Sequence, residues 1–254
     1  MALLELEDIT KVFGGLIAVS HVSLSVRTGE ILALIGPNGA GKTTVFNLIT
    51  GIYPPTSGDI RFQGDSLLRL KPHVITEKGI ARTFQTIRLF PNLTALENVM
   101  AGQHCRTQAG ALAAIFHTAR QRQEERRIIE EANRQLSFMG LFEARHELAR
   151  NLPYGDQRRL EIARALATRP LLLILDEPAA GLNEQETREM SLLIRQIRDS
   201  GITILLIEHD MKVVMDISDR VIVLDNGKTI AEGTPEQVQA NPAVIEAYLG
   251  KDEG

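Results

Sequence analysis

Residues Gly36-Pro37-Asn38-Gly39-Ala40-Gly41-Lys42-Thr43 constrain this chain more than any other segment. They fit G-x-x-x-x-G-K-[ST] and lie between a short apolar run, Ile31–Ile35, and a segment, TTVFNLITG, with helical apolar spacing. A buried strand, a Gly-rich turn and a helix in that order form a phosphate-binding loop. Glycines at 36, 39 and 41 let the backbone curl so that successive N–H groups point into one cavity. The helix behind the loop adds its unpaired N–H groups and the positive end of its dipole. Lys42 supplies a mobile cation for outer phosphates, and Thr43 a hydroxyl for Mg²⁺. The expected phosphate contacts therefore run from Gly36, Pro37, Asn38, Gly39, Ala40 and Gly41 through Lys42 and Thr43 to Thr44.

A strand of unbroken apolar residues is covered on both faces, as in parallel sheets. Leu171–Leu175 and Ile202–Ile207 repeat that composition. Helical patterns flank them: Gln157–Thr168, Glu184–Ser200 (stopped at Gly201) and Met211–Ile217. Arg220–Leu224 reads as another strand, and Asn226-Gly227 as a hairpin turn into Thr229–Ala231. Pro235–Ala240 and Ala243–Leu249 read as closing helices. This alternation predicts an α/β fold with a mostly parallel core sheet. Residues 3–8, 20–26 and Asp59–Gln63 alternate apolar and polar, predicting half-buried strands near the N-terminus. From Pro91 to Ala149 the pattern is helical, with Ile129, Ala132, Leu136 and Met139 on one face. The charge-dense but balanced stretch Arg120–Glu131 reads as a solvated helix face.

Composition removes several classes of function. Apolar residues at 44% and charged residues at 24% are ordinary globular values, so most of the chain is expected to fold. Lys and Arg total 28 against 32 acids, a net charge of −4, which disfavours general nucleic-acid binding. Cys105 is the only cysteine, excluding an intrachain disulfide, and reads as a spare buried thiol. The leading MALLELEDIT lacks the basic and long apolar regions of a signal peptide. The apolar runs fall short of the roughly 20 residues that span a bilayer. The chain is expected to be soluble by itself, any membrane role needing a partner.

Two strand ends carry the acids that a phosphate loop needs. Leu171–Leu175 leads into Asp176-Glu177, and Ile202–Ile207 into Glu208-His209-Asp210. At the mouth of a parallel sheet both sets fall beside the phosphate loop. Asp176 is expected to hold Mg²⁺ through water, and Glu177 to position or deprotonate an attacking water. His209 is expected to hydrogen-bond the terminal phosphate.

In these residues the chain resembles the ATP-binding subunits of ABC transporters, over essentially its whole length. Gly36–Thr43 corresponds to the Walker A loop, and Leu171–Asp176 with Glu177 to the Walker B strand and catalytic acid. Gln85, in Thr83-Phe84-Gln85, resembles the Q-loop glutamine, whose family role is contact with Mg²⁺ and water plus coupling to the membrane subunit. Ala180–Asn183 falls at the D-loop, His209 at the switch histidine and Phe13 at the adenine-stacking position. The signature departs from L-S-G-G-Q: it reads Leu152-Pro153-Tyr154-Gly155-Asp156. Pro153 removes a hydroxyl, while Gly155, expected just before a helix, keeps a backbone approach to an anion. Asp156 is expected to face ribose or solvent. Asn183 stands where the family carries an aspartate.

The resemblance implies a P-loop ATPase with an N-terminal antiparallel β subdomain and an α-helical subdomain. The expected divisions are 1–90 (β subdomain and P-loop core), 91–156 (helical, with the signature), 157–234 (core) and 235–254 (C-terminal helices). It further implies ATP and Mg²⁺ as cofactors, and an ATP sandwich in which Gly155 acts across a dimer with a second, homologous ATPase subunit or with itself. The implied partners are integral membrane permease subunits and, indirectly, a periplasmic or extracellular substrate-binding protein. No nucleic acid is implied, and the location is the cytoplasmic face of the plasma membrane. Asn151–Arg164, Arg82–Gln85 and the ending Asn241–Gly250 resemble the ATPases of branched-chain amino-acid importers. Importers of urea or short amides, lipopolysaccharide exporters and soluble ABC ATPases are the alternatives.

Overall fold

A computed structural model describes residues 2–103 and 119–249 of the chain; Cys105 lies outside the described residues. In chain order the strands are β1 (Ala2–Phe13), β2 (Leu16–Arg27), β3 (Ile31–Ile35), β4 (Ser57–Phe62), β5 (Asp65–Ser66), β6 (Ile80–Arg82), β7 (Leu172–Asp176), β8 (Thr203–Ile207), β9 (Arg220–Asp225) and β10 (Lys228–Gly233). The helices are α1 (Lys42–Ile49), α2 (Pro72–Lys78), α3 (Ala95–Gly102), α4 (Ala119–Phe138), α5 (Tyr154–Leu166), α6 (Glu184–Asp199), α7 (Met211–Ile217), α8 (Pro235–Gln239) and α9 (Pro242–Leu249). Contacts divide the chain into two compact units, Met1–Ile75 with Leu171–Gly254, and Thr76–Pro170.

In the first unit β3, β8 and β7 are buried at every position, so each is apolar throughout. Strand order is β10-β9-β3-β8-β7. The first four neighbouring pairs differ in only one respect: β3 runs parallel to β8 and β9, β7 runs parallel to β8, and only β10 is antiparallel to its neighbour β9. Leu171, expected in the strand, is 43% exposed and precedes it, while Asp176 closes it opposite Ile207. α6 buries Met190, Leu193, Ile194 and Ile197, the spacing of one helical face. A second sheet, ordered β2-β1-β4-β5, is antiparallel. Its first two strands run well past the alternating segments, because Asp8 and His21 take positive φ and shift the register there. The His21 Nδ1 lies 2.7 Å from Asp8 Oδ1 across the shift.

In the second unit α3, α4 and α5 pack on one another. Thr94 and Glu97 form a capping box that starts α3. Ala132, Leu136 and Met139 are buried as their spacing predicts, whereas Ile129 is half-buried. The charged stretch is not uniformly solvated: Glu131 is 4% exposed and binds Arg134, Gln135 and Arg169. α5 begins at Tyr154 rather than Gln157, since Pro153 supplies a preset φ of −53° at the N-cap. This second unit, Thr76–Pro170, contains all of α5.

Candidate active site

The loop between β3 and α1 is held in a conformation that only glycine permits at two points. Gly36 has φ +150°, and a Cβ there would lie 2.1 Å from the Leu224 carbonyl oxygen. Gly41 has φ +103°, and a Cβ there would lie 2.6 Å from the Ala18 oxygen. Gly41 is also the N-cap of α1 and has no side chain to satisfy the first helical amides, which leaves them for an anion. Pro37, expected among the phosphate contacts, has no N–H to donate. Its carbonyl instead accepts from the Ala40 amide at 3.1 Å and from Lys42 Nζ at 3.0 Å. Lys42 Nζ also donates to the Gly36 carbonyl at 2.6 Å, which fixes the buried ammonium along the loop. The β9–β10 hairpin supports the loop from the side, with the Gly227 amide donating to the Ala40 carbonyl at 3.0 Å.

Register brings the acids to the same sheet edge. Ile207 pairs with Leu34 on one side and Asp176 on the other, so β3, β8 and β7 end level. Asp176 is buried, and Glu177 follows it with φ +50°, a strained position for a carboxylate. The Glu177 amide donates to the Ile207 carbonyl at 2.9 Å, turning its side chain toward β8. His209 Nδ1 lies 3.7 Å from Glu177 Oε2. The histidine is 62% exposed and the acid 18%, so a solvent-facing ring meets a largely buried carboxylate.

Glu208 is a positioning group that sequence reasoning passed over. Its side chain is sealed, with Oε1 accepting from the Ala179 amide at 3.0 Å and Oε2 from the His209 and Asp210 amides at 3.1 and 3.4 Å. Burial pushes its carboxyl above the usual range, opposed by those three amides. The available signal was an acid directly after a fully apolar run. Asn183, two residues after Gly181, accepts from the Gln185 and Glu186 amides and caps α6, with Glu186 completing the box.

Phe13 is 39% exposed and meets Tyr53 edge-on, with ring centroids 5.3 Å apart. Lys11 Nζ lies 4.9 Å from the Phe13 ring and 5.9 Å from the Tyr53 ring, and donates to the Pro54 carbonyl at 2.7 Å. Tyr53 had no local signal, because only tertiary folding brings the loop after α1 to the end of β1. Phe13, Gly36–Thr44, Asp176, Glu177 and His209 all belong to the first unit; Gln85 and Gly155 belong to the second. Gln85 is exposed, and Gly155 sits in the first turn of α5 rather than before the helix. Asp156 shares that turn.

The residues present fit Mg²⁺. Within the first unit, Thr43 offers a hydroxyl and Asp176 a carboxylate, both hard oxygen donors. Among the described residues no cluster of three His, Cys, Asp or Glu side chains could hold a metal.

A family profile described as "ABC transporter" matches residues 19–180, and one described as "Branched-chain amino acid ATP-binding cassette transporter" matches 228–254. The chain is 50% identical over 250 residues to the high-affinity branched-chain amino acid transport ATP-binding protein BraF of Pseudomonas aeruginosa, covering 98% of each. It is 48% identical over 250 residues to LivG, the protein so described in Escherichia coli K12, again covering 98% of each. A crystal structure of a nucleotide-free ATP-binding cassette from an ABC transporter superposes with a TM-score of 0.87 at 32% identity, covering 99% of this chain and all of that one.

Proposed function

The chain belongs to the ABC transporter ATP-binding family, and from that premise we propose that it is the energy-coupling ATPase of a branched-chain amino-acid importer. The observation that carries the reading is the Glu177–His209 pair at 3.7 Å, set at the sheet edge from which the phosphate loop also departs. The loop amides of Asn38–Thr44 and the Lys42 ammonium hold the β- and γ-phosphates, and Phe13 with Tyr53 holds the adenine. Glu177 orients a water toward the γ-phosphorus and takes its proton as the new P–O bond forms and the bond from the γ-phosphorus to the β–γ bridging oxygen breaks, with ADP as the leaving group. His209 donates an N–H to a γ-phosphate oxygen as charge gathers there. Thr43 and Asp176 would hold Mg²⁺, which would supply charge neutralisation at the phosphates when bound. Gly155 offers the first-turn amides of α5 to the nucleotide on a second cassette, a homologous ATPase or another copy, so turnover needs a dimer. Permease subunits at the cytoplasmic face of the membrane receive the motion through Gln85, and a binding protein outside delivers the amino acid. Among the described residues no helix is long and apolar enough to cross a membrane, which leaves the crossing to those partners.

The test is Glu177→Gln. ATP affinity should stay within about twofold while phosphate release falls by about 100-fold or more, the size of a lost general base. Release at the wild-type rate removes Glu177 from this role. In the assembled importer, leucine, isoleucine or valine with its binding protein should stimulate ATPase, whereas stimulation by urea alone would replace the proposed cargo.

A further inference from the structure

Arg158 lies one turn into α5 and is 1% exposed. A buried guanidinium must find acceptors for its N–H groups, and a salt bridge alone rarely offsets its desolvation. Two of the acceptors here are main-chain carbonyls of the Q-loop. Nη1 donates to the Phe84 oxygen at 2.8 Å, and Nη2 to the Gln85 oxygen at 2.9 Å. Glu161, one turn further and also 1% exposed, faces Arg158 Nη1 at 3.4 Å. Its other carboxylate oxygen accepts from the Arg88 amide at 3.1 Å. One face of α5 therefore grips the Q-loop backbone at 84, 85 and 88. The Phe84 ring between these points is flanked by the Arg82 and Arg88 guanidiniums, at 5.1 and 4.1 Å.

The altered signature takes part in this grip. Tyr154, which stands where the family pattern has a glycine, accepts from Arg158 Nη2 at 3.1 Å, and its ring lies 5.8 Å from the guanidinium carbon. A glycine at 154 would leave that N–H with one acceptor fewer in a buried setting. The residue that departs from the pattern thus adds an acceptor for the residue that holds Gln85.

We propose that Arg158 is a positioning residue that joins the Q-loop at Gln85 and the signature turn Tyr154–Gly155 into one mechanical body, with the Tyr154 hydroxyl as an acceptor beside the two carbonyls and Glu161. The inference rests on the reading of Gln85 and Gly155 as coupling and site residues. A displacement of the Gln85 backbone is then delivered to the Gly155 amide without slack. Loss of the clamp lets the two drift, so ATP still binds the phosphate loop but the signature arrives out of position.

The test uses the full chain in the assembled importer, with Arg158→Met, Arg158→Lys and Tyr154→Phe. For Arg158→Met the expected result is an ATP dissociation constant within about twofold of wild type, kcat at least tenfold lower, KM little changed and stimulation by cargo abolished. Arg158→Lys, which restores a donor for the two carbonyls, should recover part of both kcat and stimulation. Tyr154→Phe, which removes one acceptor, should lower kcat by a few fold with the melting temperature nearly unchanged. Should Arg158→Met not fold, Tyr154→Phe and Arg158→Lys decide. Wild-type kcat and stimulation in the folded variants overturn the clamp. A wild-type importer without ATPase activity overturns the proposed function instead.

Discussion

Glu208 and Glu161 are sealed carboxyls whose burial raises their proton affinity against the pull of neighbouring amides and cations. A carboxyl with a raised folded pKa contributes stability that is fully present below its unfolded pKa and is lost as pH rises through the folded value. Both groups therefore tilt the stability curve downward between the ordinary carboxylate range and their raised values. Glu208→Gln removes one of the two contributions, so its melting temperature should fall less than wild type over that window; parallel melting curves across a pH series would refute the assignment. Turnover should drop as well, because the glutamine nitrogen cannot accept from Ala179 on one side or from His209 and Asp210 on the other. The proposed adenine contact at Phe13 makes a separate demand. Aromatic stacking on a base is worth about 1–3 kcal/mol, so Phe13→Ala should weaken ATP binding at least several-fold, read by calorimetric titration. Tyr53→Ala should weaken it less, because Tyr53 supports Phe13 edge-on.

Helix starts show how far local chemistry reaches. Asn183 reads from the sequence as a lost D-loop charge, yet its structural task is to cap α6 with Glu186. Asn183→Ala should cost about 1 kcal/mol of stability, and Asn183→Asp only a few tenths, since aspartate caps equally well. Urea unfolding of the two variants separates these outcomes, and equal losses would deny the cap. α5 shows the opposite limit. It has no side-chain cap and too few apolar residues at its start to be traced back to Tyr154 by periodicity. The long β1–β2 pair was legible only in part, because its alternation breaks where Asp8 and His21 adopt positive φ. The buried strands were legible almost to the residue, since full burial demands apolar side chains on both faces.

Across the whole molecule the site residues are split between two contact units, with the phosphate loop, acids and switch histidine in one and Gln85 and Gly155 in the other. A signature that serves a second chain predicts that the Glu177→Gln variant sediments as a dimer with Mg–ATP and as a monomer with ADP. A monomer under both conditions would reject the shared site. The phosphate loop, the paired acids and the order of strands and helices followed from the sequence, because glycine geometry, charge and apolar runs act locally. Tertiary structure alone decided that Tyr53 meets Phe13, that Glu208 ties Ala179 to the switch and that Arg158 holds the Q-loop. Each of these joins residues distant in sequence, through an exposed ring pair in the first case and a buried polar group in the other two. Such groups leave no periodic trace, since what fixes them is the partner that folding brings within reach.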